Sequence, residues 1–233
     1  MSNRPVQRPQ INYRKKLLSA IASINPSRVL EVGYGGGRFL RSARDMGWEL
    51  TGIDPESASI ATLKNEGFNV AVGWAEELPY SDDSFDASVF VFTAHHIADW
   101  DKAVREAFRV SRAIFILDPW YASDIPSQAI ALEFDRWCKK IDRDGGMIHN
   151  DCLSAGELLK PLDGLGFRLT LSYLLELQEL GVDGMNALAE PQLRQSRNPS
   201  LWESELRRLQ SRAKVHGFSD DGAILLAVHR DHT

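Results

Sequence analysis

At 233 residues, 43% hydrophobic and 25% charged, the chain has the composition of an ordinary globular protein, which excludes a disordered or low-complexity polypeptide. A net charge of −5 without a long basic block argues against nucleic acid as a partner, because phosphates demand clustered lysine and arginine. No apolar run approaches the length of a membrane span, and residues 1–10 are too polar for a signal peptide. The only cysteines, Cys138 and Cys152, have no metal-ligand spacing, so the expectation is a cytoplasmic protein without disulfides or a bound metal.

In chain order, Leu17, Leu18, Ile21 and Ile24 share one face of a helix predicted over 12–24. Asn25-Pro26-Ser27 breaks it, and 28–32 reads as a buried strand. Gly33-Tyr34-Gly35-Gly36-Gly37 then turns the chain into a helix over about 38–46, which Gly47 stops. Such a loop tolerates positive φ and lets a nucleotide-type ligand lie against bare main chain, with N–H donors pointing at it. A second strand over 50–53 ends at Asp54-Pro55, and a helix through 58–66 is closed by Gly67. Strands over 69–72 and 85–92 follow. Asp99 caps a helix carrying Trp100, Ala103, Val104, Ala107 and Phe108, and a fifth strand over 113–117 ends at Asp118-Pro119. Strands alternating with helices predict an α/β protein, its parallel sheet covered on both faces.

The second half is less regular. Ile130, Phe134, Trp137, Cys138 and Ile141 form an apolar stripe on a helix over about 126–142. Ser154-Ala155-Gly156-Glu157 is a capping box opening another helix, and Ser200 with Glu203 offers a second. Phe167, Leu169, Leu171 and Tyr173 alternate as a strand, and 223–228 is a plausible last one. Lys139-Lys140 and Arg207-Arg208 read as solvated helix faces.

Asp54 stands 17 residues after Gly37, where a carboxylate can accept both ribose hydroxyls of an adenosine. Loop and acid together fit a nicotinamide dinucleotide as well as S-adenosylmethionine. The blocks that follow separate them: Gly73-Trp74-Ala75-Glu76-Glu77-Leu78-Pro79-Tyr80, Asp82-Asp83-Ser84-Phe85-Asp86, Ala94-His95-His96-Ile97 and Glu106-Ala107-Phe108-Arg109-Val110. In this order they resemble the class I S-adenosylmethionine-dependent methyltransferases, and more narrowly the group of ubiquinone/menaquinone C-methyltransferases and small-molecule methyltransferases. The resemblance covers residues 28–118.

It implies a Rossmann-like, seven-stranded, mostly parallel sheet with helices on both faces, an antiparallel last strand and helical lid elaborations. It also implies S-adenosyl-L-methionine as cofactor. Glu31, Gly33, Gly35 and Gly37 would bracket its methionine and ribose, Asp54 with Pro55 would hold the ribose diol, and Ala75 and Glu76 would lie beside adenine. The chain at Phe90–Phe92 would pass the methionine end, so Phe90 and Phe92 join the set, and Tyr13 would close over the cofactor. Two departures stand out: Trp74 replaces an acid often found in the adenine loop, and a Lys-Pro-Gly-Gly-like turn before the fifth strand is absent.

Methyl transfer from a sulfonium needs an acceptor held in line and shielded from water, with a general base only for a protonated acceptor. The candidates for that role are His95, His96, Tyr121 and His149, and Trp120 and Trp137 are candidates for an aromatic acceptor pocket. The expected organisation is a single methyltransferase domain over 1–233. In it, 1–27 is an N-terminal helical segment, 28–118 the cofactor core, and 119–163 and 176–218 cover the substrate. The expected activity is metal-independent transfer to a small molecule. The rivals are a protein or RNA methyltransferase, a nicotinamide-dependent oxidoreductase and a non-catalytic cofactor-binding protein. The accepting atom and the oligomeric state stay open.

Overall fold

The computed structural model describes residues 10–231, which divide into two compact units. The first, residues 14–118, 152–173 and 224–231, is built on the sheet. Its strands are β1 (Arg28–Val32), β2 (Glu49–Asp54), β3 (Asn69–Val72), β4 (Phe85–Val91), β5 (Ser111–Trp120), β6 (Phe167–Leu174) and β7 (Gly222–Arg230). They lie in the order β3-β2-β1-β4-β5-β7-β6. The five strands from β3 to β5 are parallel, and the expected antiparallel end of the sheet is present.

β1 and β4 are buried along nearly their whole length, as a parallel strand covered on both faces must be. Consecutive strands leave β1 on opposite sides, β2 to one and β4 to the other. That reversal opens a crevice at the carboxyl ends of β1 and β4, where open α/β sheets bind ligands.

The sheet unit's helices are α1 from Arg14 onward (Gln10–Ala22), α2 (Arg38–Ala43), α3 (Ile60–Asn65), α4 (Trp100–Val110) and α6 (Ala155–Leu159). α4 starts as expected: the Asp99 carboxylate accepts the Lys102 N–H at 3.0 Å. Its buried face is Trp100, Ala103, Val104, Ala107 and Val110. The capping box at Ser154 and Glu157 is formed. Trp100 Nε1 donates to the Leu158 carbonyl at 3.0 Å, which ties α6 to α4.

The second unit contains residues 10–13, 119–151 and 174–223. Helices α5 (Pro126–Asp144), α7 (Gly181–Gln195) and α8 (Pro199–His216) enclose a core that includes Ile130, Phe134, Trp137, Met185, Trp202, Leu206 and Phe218. Phe134 stacks on Trp137 with centroids 5.4 Å apart, and Trp137 Nε1 donates to the Trp202 carbonyl at 3.1 Å. Each such aromatic removed from water contributes about 2–3 kcal/mol.

Two local expectations fail here. Ser200 does not cap α8, because Pro199 already occupies its first turn and the N-cap is Asn198. Lys139 is not solvated: it is wholly buried on α5 and paired at 2.9 Å with Asp135, one helical turn back. A buried ammonium persists only with such a partner.

Candidate functional site

The glycine loop holds two kinds of glycine. Gly33 and Gly37 have φ of 79° and 75°, and a Cβ on either would lie 2.2 Å from Thr93 Cγ2 or 2.3 Å from Leu63 Cδ2. Both are therefore required by the protein's own packing. Gly35, at φ 48°, would meet nothing within 4 Å. The space beside it is open, and its main chain is bare. Between them Tyr34 points inward, its ring against Gly52, Leu40 and Val70, and anchors the loop to the core.

Asp54, at the end of β2, is buried and holds two amides. Its Oδ2 accepts the Gly35 N–H and its Oδ1 the Glu56 N–H, each at 2.8 Å. Each oxygen keeps lone-pair capacity for a hydroxyl donor. Pro55 follows, exposed.

Glu31, on β1, is 3% exposed. It accepts a hydrogen bond from the Leu40 N–H, an otherwise unpaired donor in the first turn of α2. Its Oε2 is buried without a partner. Burial above all pushes its pKa well up, and the Asp54 charge adds to that, while the Leu40 amide and Arg14 oppose it. Half-buried Arg14 has its pKa lowered by burial and by Arg38, with Glu31 opposing. One carboxylate and two guanidiniums thus share this end of β1.

At the end of β4, Phe90 is fully buried, edge-on to Trp100 with centroids 5.1 Å apart, so only its main chain can serve a ligand. Phe92 adopts φ 54° and donates its N–H to the Leu117 carbonyl at 2.7 Å. A bulky residue in the left-handed region is strained, and such strain gathers at ligand sites. It swings the chain to Thr93, whose hydroxyl donates to the Gly33 carbonyl at 3.3 Å.

The loop after β3 carries Trp74, 60% exposed, beside buried Ala75. Glu76 accepts the Asp99 N–H at 3.2 Å. Arg109 on α4 fixes this loop by donating to the carbonyls of Leu78 and Tyr80 at 3.1 and 2.8 Å. Glu106 accepts the Leu78 N–H and pairs with Arg109, raising the guanidinium's pKa further and lowering its own. The block around Glu106 and Arg109 is thus a brace for the adenine-loop segment.

Among the catalytic candidates, His95 is buried with Nδ1 3.0 Å from both carboxylate oxygens of Asp118, at the end of neighbouring β5. His96 is exposed, its ring 4.4 Å from that of His95. The other candidates belong to the helical unit. Tyr121 packs on its core, and His149 Nδ1 lies 2.6 Å from Asp142 Oδ2. Tyr13 is there too, its hydroxyl accepting the Glu176 N–H at 3.0 Å and donating to the Asp221 carbonyl at 3.3 Å. Trp137 lies in that unit's core, which leaves it no part in an acceptor pocket.

The sheet unit by itself therefore assembles Glu31, Gly33, Gly35, Gly37, Asp54, the 74–76 loop, Phe92 and His95. Sequence reasoning missed Arg14, Arg38, the pairing of Asp118 with His95 and the strained Phe92. Of these, the pairing alone had a signal: a histidine shortly after one parallel strand and an acid near the end of its neighbour.

Residues 30–114 match the family described as "Methyltransferase domain". The uncharacterized methyltransferase YcgJ of Bacillus subtilis is 30% identical over 160 residues, spanning 65% of this chain and 62% of that protein. The ubiquinone/menaquinone biosynthesis C-methyltransferase UbiE of Rickettsia akari is 32% identical over 112 residues, 42% of this chain and 45% of that one. The chain thus matches less than two thirds of the length of these curated relatives. The crystal structure of the Bacillus YcgJ protein superposes with a TM-score of 0.64 at 17% identity, covering 94% of this chain and all of that one. No helix among the described residues is long and apolar enough to cross a membrane.

Proposed function

We propose that this chain, which carries a methyltransferase domain over residues 30–114, transfers a methyl group from S-adenosylmethionine to a small molecule in the cytoplasm. One observation carries the reading: Glu31, Gly35 and Asp54 meet at the carboxyl ends of adjacent strands, with one buried carboxylate oxygen unpaired.

The residues fit the cofactor group by group. The unpaired oxygen of Glu31 suits an α-ammonium, and Arg14 with Arg38 suits the carboxylate of the same amino acid. Asp54 has acceptor capacity for a ribose diol, and the bare main chain at Gly35 lets the sugar approach. Exposed Trp74 offers adenine a stacking face in place of the missing acid.

When bound, the cofactor supplies an electrophilic methyl on sulfur with a neutral thioether as leaving group, so the chemistry calls for no Lewis acid. The protein's work is to hold the acceptor in line and keep water away. For a protonated acceptor, His95, which Asp118 orients through Nδ1, would take the acceptor's proton. The segments inserted after β5 and β6 are the source of acceptor specificity, and a net charge of −5 favours a small acceptor over RNA.

Calorimetry with S-adenosylhomocysteine tests this. Micromolar binding that disappears in Asp54→Ala is expected. No binding by the unaltered chain would sink the reading.

A further inference from the structure

We infer that the helical unit holds a subsite for an alkylammonium group, formed by Asp220, Glu176 and Asp221 beside Tyr13. The inference goes beyond the transferase reading and stands on the helical unit alone.

The subsite is built from two segments, 176–181 and 218–221. Leu180 and Gly181 donate to the Phe218 carbonyl at 2.8 and 3.0 Å, and the Asp220 N–H donates to the Gln178 carbonyl at 3.0 Å. Gln128, wholly buried, clamps the second segment through Nε2, which donates to Ser219 Oγ at 2.8 Å and to the Asp220 carbonyl at 2.5 Å. Its Oε1 accepts the Ala122 N–H at 3.4 Å. A side chain so fully committed to two neighbouring residues fixes the position of Asp220.

Asp220 is 4% exposed. Its Oδ1 accepts the Asp221 N–H at 3.0 Å, and its Oδ2 is buried with no hydrogen-bond partner. Burial, and then the charges of Asp221, Glu176 and Asp220, raise the Tyr13 phenol's pKa against the Glu176 amide that lowers it. The Tyr13 hydroxyl joins the two segments, accepting the Glu176 N–H at 3.0 Å and donating to the Asp221 carbonyl at 3.3 Å, so the three carboxylates belong to one neighbourhood. A carboxylate oxygen held in a dry interior without a donor is costly until a cation reaches it.

The chemistry favours an ammonium over a metal ion. Calcium asks for six to eight oxygens and magnesium for a rigid octahedron. Here Asp220 Oδ1 is taken by an amide, and Glu176 Oε2 accepts Asn12 Nδ2 at 2.8 Å. One open buried oxygen suits an N⁺–H donor, which gains a charge-assisted hydrogen bond there.

The test titrates the full chain with n-butylammonium chloride, n-butanol and calcium chloride, and in parallel with S-adenosylhomocysteine. The amine is expected to bind and the alcohol not. Asp220→Asn should weaken the amine about tenfold and Glu176→Gln about threefold, with S-adenosylhomocysteine binding unchanged in both. Glu176→Gln leaves the main-chain bond to Tyr13 in place and guards against a misfolded Asp220 variant. Equal binding of amine and alcohol, preference for calcium, or indifference of the amine to both substitutions would overturn the inference. If the amine binds as expected and S-adenosylhomocysteine does not, the transferase reading fails while the subsite stands.

Discussion

The Gly35 amide donates to Asp54 Oδ2 at 2.8 Å, joining two residues 19 positions apart. The acid that closes β2 is therefore also what holds the glycine loop in shape, and its removal acts twice. Asp54→Ala should lower the affinity for S-adenosylhomocysteine at least ~100-fold, through a lost ribose acceptor and a slackened loop. Asp54→Asn keeps one carbonyl oxygen and should lose about tenfold. Calorimetry separates them, and equal losses would deny the double role.

The two kinds of glycine should respond differently to alanine. Gly33→Ala drives a methyl into Thr93 at φ 79° and should cost about 2–3 kcal/mol of stability by urea denaturation. Adding Thr93→Ser removes the struck methyl and should recover part of it. Gly35→Ala meets open space, so it should cost only about 1 kcal/mol of stability. Its larger effect should fall on cofactor affinity. Equal stability losses at both positions would contradict the assignment.

Arg109 holds two carbonyls and two carboxylates, those of Glu106 and Asp82, in one planar fork. Arg109→Lys cannot reproduce that geometry. Both Arg109→Lys and Arg109→Ala should weaken S-adenosylhomocysteine about tenfold by loosening the 74–80 loop. Full activity of the lysine variant in binding would show that charge alone suffices.

Glu31 gives a pH signature. Its carboxyl is held well above the usual range, chiefly by burial, so the folded state binds its proton more tightly than the unfolded state does. The stability this lends is complete below the unfolded pKa of about 4.3 and is lost as pH climbs through the raised folded value. Glu31→Gln removes that slope. Its Tm should gain on the unaltered chain as pH rises above the unfolded value of about 4.3, measured without cofactor. A gap independent of pH would refute the burial effect.

Tyr34 carries a buried hydroxyl with no hydrogen-bond partner. Tyr34→Phe keeps the ring that anchors the loop and removes the unsatisfied group, so stability should rise by about 1 kcal/mol. A loss of that size would mean the hydroxyl has a role in the folded chain.

The parallel half of the sheet was legible because β1 and β2 end at chemical punctuation marks. Gly33 follows β1 and Asp54 ends β2, whereas β5 runs past the expected stop at Asp118-Pro119 to Trp120; the bounds of β1 and β3 agree with the expectation to the residue. Lys139 was not legible: burial of a lysine is decided by Asp135 on the same turn and by the helices around it, and a charged pair reads as surface. Nor was Phe92, since strain is imposed by the flanking strands and leaves no mark in residue type. The start of α8 was misread because serine and glutamate at capping distance are common, whereas the nearby Pro199 fixes φ outright.

The hydrogen bond from Trp137 to the Trp202 carbonyl spans 65 residues and joins the stretch inserted after β5 to the one inserted after β6. Neither insertion has a core of its own; each is the other's solvent shield. A truncation that spares one half leaves an exposed apolar helix and invites aggregation. An exchange of one stretch therefore has to bring the matching half of the other with it, because the two share a single apolar core.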